Sequence, residues 1–245
     1  MQQNLYFAPP AKNELVKAYV KGSPEREQLL KAIEWARSRV IDIPMIIDGK
    51  EVRTDKKIEI HPPHDHQHLL GYYHRGDESH VKKAIDAALA AREKWSTMSW
   101  KQRASIFLKA AGMISGPYRA RINAATMLGQ SKSVHQAEID AACEFADFLR
   151  FNVQYMTEIY NQQPNSSELV WNRLEQRPLE GFVFALTPFN FTAIAANLPA
   201  APAMMGNTVV WKPSNAQIYS ARVIMEIFME AGLPDGVINL VFVSG

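Results

Sequence analysis

Residues 181–214, GFVFALTPFNFTAIAANLPAAPAMMGNTVVWKPS, constrain the fold more than any other stretch of the chain. A continuous apolar run over 182–186 reads as a buried strand. Pro188 stops it, because proline brings no N–H to a central ladder. A short polar loop follows, then a small-residue apolar helix, then a second buried run that ends at Lys212 before Pro213. Two such strands joined by a helix form a parallel unit with a right-handed crossover. A third run, VINLVFV at 237–243, comes after a helix expected over about 216–231. Strand–helix–strand–helix–strand predicts an α/β fold on a doubly wound parallel sheet. Open sheets of this kind take ligands in the crevice outside the carboxyl ends of their strands. Asn190 and Lys212 both stand just past such ends.

Upstream, residues 1–24 read as an arm. GSPERE at 22–27 is a helix start, with Ser23 to cap, Pro24 in the first turn and Glu27 downstream. That helix is expected to reach about Val40, with Leu29, Leu30, Ile33 and Trp35 or Ala36 on its apolar side. IPMIIDGKEVRTDKKIEIHPP reads as a β-hairpin turning at Asp48 and Gly49, and HDHQHLLGYYHRG as a further extended piece. Four amphipathic helices are expected next, beginning near Ser79, Trp100, Tyr118 and Val134. Val81, Ile85, Ala88, Leu89 and Trp95 form the apolar stripe of the first. The loop cluster QPNSS precedes ELVWNRLEQRPLEG, whose rough alternation and proline suit an exposed edge ribbon. Three parallel strands leave an edge that proteins normally pair or cover, and such sheets usually have more strands. The chain is therefore expected to be the N-terminal part of a longer protein.

Composition narrows the function class. With 47% hydrophobic residues among 245, the chain has material for a sizeable core. A formal net charge of +2 makes no case for nucleic acid or an anionic membrane as partner. No apolar run reaches the ~20 residues of a spanning helix. The single cysteine, Cys143, excludes an intramolecular disulfide and suits a reducing compartment. The N-terminus lacks the charged and apolar regions of a secretory signal and is not rich in Arg and Ser, as transit peptides are. These features predict a soluble, cytoplasmic protein.

Two groups in the opening stretch carry candidate chemistry. Asn190 offers a neutral amide donor of the kind that stabilises a developing oxyanion. The competing reading is a helix cap for the segment starting near Thr192. Lys212 lies about 25 residues past the first strand's exit, where dinucleotide folds contact the adenosine ribose. The competing reading there is an ordinary solvated lysine. No GxGxxG is present in this unit.

TPFNF, the helix carrying PAAPAMMGN, and VVWKPS, in that order and spacing, resemble the aldehyde dehydrogenase superfamily. MLGQSKSVHQAEIDAACEFADFLRFN narrows the resemblance to its L-glutamate γ-semialdehyde (1-pyrroline-5-carboxylate) dehydrogenases, of proline catabolism. GSPERE and AIDAALAAREKW extend it over nearly the whole chain. The resemblance implies an N-terminal helical region plus the first strands of an NAD-binding sheet. By its pattern, residues 1–163 hold the arm, hairpin and helices of the cofactor domain. Residues 164–180 form an oligomerisation ribbon, and 181–245 an incomplete Rossmann-like sheet.

Residue by residue, the resemblance makes Asn190 the oxyanion stabiliser, and Thr187, Lys212 and Ser214 contacts of NAD. It makes Phe191 and Glu144 part of the aldehyde pocket. It further implies a small aldehyde as substrate and a homodimer or higher homo-oligomer. The family's nucleophilic cysteine and general-base glutamate match nothing in these residues, so the chain alone is expected to be inactive. Cys143, amid Ala141, Ala142, Phe145 and Ala146, is expected to be an inert buried thiol. Asn215 stands where many NAD-preferring relatives have an acid, which suggests tolerance of NADP. His64, His66 and His68 alternate as three potential zinc ligands on an exposed strand, but no metal is expected. Asp140, Glu144 and Asp147 form an acidic line read as a solvated helix face, with only Glu144 singled out by the resemblance. The alternatives are an inactive binding or assembly module and an aldehyde dehydrogenase of other specificity.

Overall fold

The structure is a computed structural model and describes residues 7–244. The first helix, α1 (Pro24–Arg37), begins as expected: Ser23 Oγ accepts from the Arg26 N–H and Pro24 occupies the first turn. It stops at Ser38, short of Val40. Leu29 and Ala36 are its buried residues, whereas Leu30 and Trp35 face outward. Five short strands follow: β1 (Ile41–Ile43), β2 (Met45–Ile47), β3 (Lys50–Val52), β4 (Lys57–Ile60) and β5 (Gly71–His74). Asp48 and Gly49 turn the β2–β3 hairpin with φ of 52° and 69°, the left-handed pair that a two-residue hairpin requires.

The extended reading of HDHQHLLGYYHRG, residues 64–76, is overturned over 64–70. That segment is a series of turns, and only residues 71–74 form a strand. β5 pairs parallel with β1 and antiparallel with β4 in a small sheet of order β1-β5-β4. Gly71 is required there, because a Cβ would sit 2.2 Å from the Ile41 carbonyl oxygen.

The expected helical run is α2 (Glu78–Thr97), α3 (Trp100–Ser115), α4 (Arg119–Gln130) and a long rod from Val134 to Asn161. The rod has three parts: α5 (Val134–Ala137), a π-helical segment (Glu138–Glu144) and α6 (Phe145–Asn161). Residues 168–180 form no ladder. They are an exposed strap held by local bonds such as Leu174 N–H to Gln163 Oε1 (2.9 Å).

β6 (Val183–Leu186), α7 (Thr192–Met204), β7 (Val209–Lys212), a 3₁₀ turn (Asn215–Gln217), α8 (Ile218–Ala231) and β8 (Ile238–Leu240) complete the chain. β6, β7 and β8 are parallel, with Leu186 opposite Lys212 and Trp211 opposite Leu240. The larger sheet runs β3-β2-β8-β7-β6, so the N-terminal hairpin covers the outer side of β8. Among the described residues β3 and β6 are the edges of this sheet, β6 being the edge of its parallel part. The alternating side chains of β6 point to opposite faces: Ala185 is buried, but Phe184 and Leu186 are 56% and 58% exposed, against the expectation of a fully buried strand.

One hydrophobic cluster joins helices and sheet, with Trp95, Phe107, Phe145, Trp211 and Phe228 fully buried. Phe228 meets Phe107 and Phe145 edge-to-face at 6.0 and 5.8 Å. The Trp95 indole N–H donates to Ala203 O at 2.8 Å, tying α2 to the far end of α7. Burying each such ring contributes about 2–3 kcal/mol, so these contacts fix α7 and its loop against the sheet.

Candidate active site

The register of β6 on β7 brings two of the predicted cofactor contacts side by side. Thr187 N–H bonds Lys212 O at 3.2 Å, so the strands end level with one another. Thr187 is buried, and its hydroxyl oxygen accepts from the Trp211 indole N–H at 3.1 Å, leaving its own proton to donate. Lys212 is partly exposed and has no salt bridge among the described residues. Ser214 sits at the cap of the 3₁₀ turn with extended backbone, but its hydroxyl makes no capping bond. Asn215 beside it is exposed. A lysine and a hydroxyl with uncommitted donors at the carboxyl edge of the sheet fit a ribose or phosphate, the groups of a dinucleotide.

Asn190 and Phe191 form the exposed lip between β6 and α7. The capping reading of Asn190 is excluded. The cap position of α7 is Phe191, with extended backbone and no side-chain capping bond. The N-terminal amides of α7 are instead held from another element. Asp140, 2% exposed on the π-helical segment, accepts from Thr192 N–H through Oδ2 and Ala193 N–H through Oδ1, both at 2.9 Å. Lys132 Nζ closes on Asp140 Oδ2 at 2.7 Å and lies 4.4 Å from the Phe191 ring centre. Thr192 Oγ1 is bound by Thr126 Oγ1 and Gln130 Nε2 at 2.8 and 2.7 Å.

The solvated-face reading of Asp140 is therefore wrong. The acidic line assumed α-helical spacing, whereas i→i+5 bonding over 138–144 resets the angles between residues and turns Asp140 inward. Sequence reasoning missed Asp140 and Lys132 as site residues; the only available signal was an acid four residues before Glu144.

Glu144 is half-buried at the end of the same segment. Burial, with Asp140 and Asp147 close by, pushes its carboxyl up, and Lys132 opposes the shift. Cys143 behaves as an inert thiol. Burial first, and then the Glu138 carboxylate, push it up to about 12, far from a reactive thiolate.

Glu138 and Arg119 form a second, fully buried centre that sequence reasoning did not anticipate. The Glu138 carboxylate accepts from Lys17 N–H (2.8 Å), Tyr19 Oη (2.7 Å), Asn123 Nδ2 (2.9 Å) and the Arg119 guanidinium. Burial alone would raise its pKa, but Arg119 and the other donors hold it below the usual carboxylate value. The centre fastens the arm rather than facing the crevice.

The histidines do not share a strand face. His64 Nδ1 meets Ser131 Oγ at 2.7 Å and His61 Nδ1 meets His68 O at 3.0 Å, in the turns before β5. Among the described residues no three His, Cys, Asp or Glu side chains gather as a metal site, and no helix is long and apolar enough to cross a membrane.

Known proteins share the fold and much of the sequence. The pattern of the aldehyde dehydrogenase family matches residues 51–245. A delta-1-pyrroline-5-carboxylate dehydrogenase of Agaricus bisporus is 51% identical over 95% of this chain and 43% of its own length. A human delta-1-pyrroline-5-carboxylate dehydrogenase, named mitochondrial, is 48% identical over 95% of the chain and 41% of its own length. The crystal structure of a delta-pyrroline-5-carboxylate dehydrogenase from Mycobacterium tuberculosis bound with NAD superposes with a TM-score of 0.95. It shares 47% identity, covering 100% of this chain and 45% of that one. The chain thus spans less than half the length of the relatives it matches. The expectation of a cytoplasmic location is corrected by relatives named mitochondrial, the human one among them. With the matched pattern covering most of its residues and the fold superposing throughout, the chain belongs to the aldehyde dehydrogenase family.

Proposed function

We propose that the intact protein carrying this chain oxidises L-glutamate γ-semialdehyde to L-glutamate with NAD, in proline catabolism, and that it resides in mitochondria like its named relatives. One observation carries the chemical part of this reading: Asp140 caps α7, which leaves the exposed Asn190 amide uncommitted at the carboxyl edge of the sheet. A neutral amide N–H held there donates to the aldehyde oxygen as it gains negative charge, and adds no charge of its own. Phe191, on the lip itself, and Glu144, within the electrostatic reach of Lys132, form one wall of the aldehyde pocket in this reading. Lys212 and Ser214 hold the adenosine ribose, with Thr187 beside them at the strand exit. NAD, when bound, supplies the hydride acceptor. Cys143 does not supply the attacking thiolate, being buried and held protonated.

The division into residues 1–163, a ribbon at 164–180 and a cofactor sheet at 181–245 belongs to the same proposal. Leu169, Trp171 and Leu179, 96%, 73% and 66% exposed, support covering of the ribbon by a second copy. The test is NAD reduction by the intact protein with L-glutamate γ-semialdehyde. Asn190→Ala lowers kcat by about 10²–10³-fold while NAD binding stays at the wild-type level. Unchanged turnover in that variant refutes the role of Asn190.

A further inference from the structure

We propose that Asp140, with Lys132, is a positioning pair that sets where the Asn190 amide and the Phe191 ring stand. The inference rests on the reading of Asn190 as oxyanion donor. It starts from a mismatch between the sequence of α7 and what a helix terminus needs. The first N–H groups of a helix have no intrahelical partner and are normally met by a Ser, Thr, Asp or Asn at the cap. α7 has Phe191 at its cap, and none of its first residues is acidic. Its interior carries Pro199 and Pro202, which further weaken its own hydrogen bonding.

The missing cap is supplied across the fold. Both oxygens of Asp140 are used on successive amides, Thr192 and Ala193, and the residue is buried. A carboxylate with two bonds to one helix terminus fixes that terminus in direction as well as position. Asn190 lies two residues upstream of the first gripped amide, on a lip tied to α7 by the Ala195 N–H to Phe191 O bond (3.0 Å) and, among the described residues, by no side-chain hydrogen bond. Lys132 adds the second half. Its ammonium neutralises Asp140 at 2.7 Å and covers the Phe191 ring at 4.4 Å, so one cation links the cap to the pocket wall.

The two residues reach this spot by separate backbone devices. Lys132 follows Ser131, whose φ of 54° ends α4, and Asp140 is turned inward by the π-helical segment. A displacement of about 1 Å at a reacting centre can cost 10²-fold in rate. A loosened α7 terminus therefore reads out as lost turnover.

The experiment uses the intact protein with Asp140→Ala and Asp140→Asn, each alone and combined with Asn190→Ala, plus Lys132→Met. In the wild-type background Asp140→Ala is expected to lower kcat by about 10–100-fold, and Asp140→Asn, which keeps one acceptor, by less. Combined with Asn190→Ala, neither lowers kcat further, because the donor they position is already gone. Lys132→Met raises the KM for the aldehyde several-fold through Phe191, with kcat changed less. NAD affinity stays at the wild-type value in all of them.

Equal losses in both backgrounds overturn the inference, since they mark Asp140 as a general fold element. Full kcat in Asp140→Ala overturns it as well, and so does loss of the native fold in both Asp140 variants. Full kcat in Asn190→Ala alone refutes the oxyanion reading and takes this inference with it. A loss in Asn190→Ala without one in Asp140→Ala overturns only the positioning role.

Discussion

Replacing Glu138 by alanine should release the N-terminal arm from the body of the protein. Glu138 is 0% exposed, and two of its donors, Lys17 N–H and Tyr19 Oη, come from the arm. Arg119 lies between the carboxylates of Glu138 and Glu14, and its guanidinium also donates to Leu15 O at 2.6 Å. Breaking a buried pair by removing one partner costs roughly 3–5 kcal/mol, because the remaining charge keeps its desolvation penalty. Glu14 stays as a partner for Arg119, which favours the lower part of that range. The Lys17 N–H loses its acceptor, adding about 1–3 kcal/mol. A net loss of about 4 kcal/mol is a large share of the 5–15 kcal/mol that holds a domain folded.

The arm's other anchors lie toward its start and are polar: Ala11 N–H donates to Gln154 Oε1 (2.9 Å), Glu14 N–H to Asp147 Oδ1 (2.7 Å), and Arg150 pairs with Glu14 (2.8 Å). Leu15, Val16 and Val20 are 81%, 53% and 60% exposed, and Tyr19 is the arm's buried ring, packed with Leu29 and Ala124. The assay is hydrogen exchange on peptides covering residues 11–20. At about 1.4 kcal/mol per tenfold, protection there should fall by roughly 10²–10³-fold in Glu138→Ala. Glu138→Gln, which keeps one acceptor and the shape, should fall between. The strands β6, β7 and β8 should keep their protection in both. Unchanged protection over 11–20 in Glu138→Ala would show that the buried centre does not hold the arm.

Acid should loosen the same contacts in a defined window. Burial acts to raise the Glu14 carboxyl, but bonds from Arg119, Ser115 and Arg150 prevail and hold it at about 2, against an ordinary 4.5. A carboxyl depressed on folding stabilises the folded state above its unfolded pKa. Its contribution is complete above pH 4.5 and drains away as the pH falls toward 2. Arm protection followed across that range should decline in wild type and be flatter in Glu14→Gln; parallel profiles would refute the assignment. On the cofactor side, Asn215 carries no charge to repel a 2′-phosphate. The intact protein should accept NADP measurably, and Asn215→Glu should remove that activity while sparing NAD; equal failure of NADP in both would dismiss the idea.

The parallel unit was legible because its strands are apolar runs closed by Pro188 and Pro213, local signals that need no tertiary information. Lys212 and Asn190 stood out by position, since strand ends in such a sheet face one crevice, whereas Thr187 was singled out only by the family resemblance. Asp140 was not legible. Its inward orientation depends on a π-helical segment, and nothing in EIDAACE distinguishes that from an α-turn. Glu138 was hidden for a related reason: its partners Lys17, Tyr19 and Arg119 lie 19 to 121 residues away and are charged or polar in their own segments. The histidine face failed because alternation alone suggested a strand over residues that form turns without a ladder partner. Phe184 and Leu186 read as buried because an apolar run cannot say which side of an edge strand is covered.

The hairpin that lies against β8 also sets an order of events during synthesis. Asp48 N–H bonds Asn239 Oδ1 at 2.9 Å, and Ile46 pairs with Leu240, across 191 residues of chain in the first case. A ribosome adding roughly 5–20 residues per second delivers Asn239 on the order of 10–40 s after Asp48. Over that interval β2, with Met45 and Ile47 destined for the core, has β3 on one side and no partner on the other. The helices α2, α3 and α4 emerge meanwhile; α4 can already pack on α1, whereas α3 awaits α6 and α8, and α2 awaits β7 and β8. The β2–β8 pairing joins an early strand to a much later one, so the nascent chain must keep an apolar strand edge from other chains until β8 arrives.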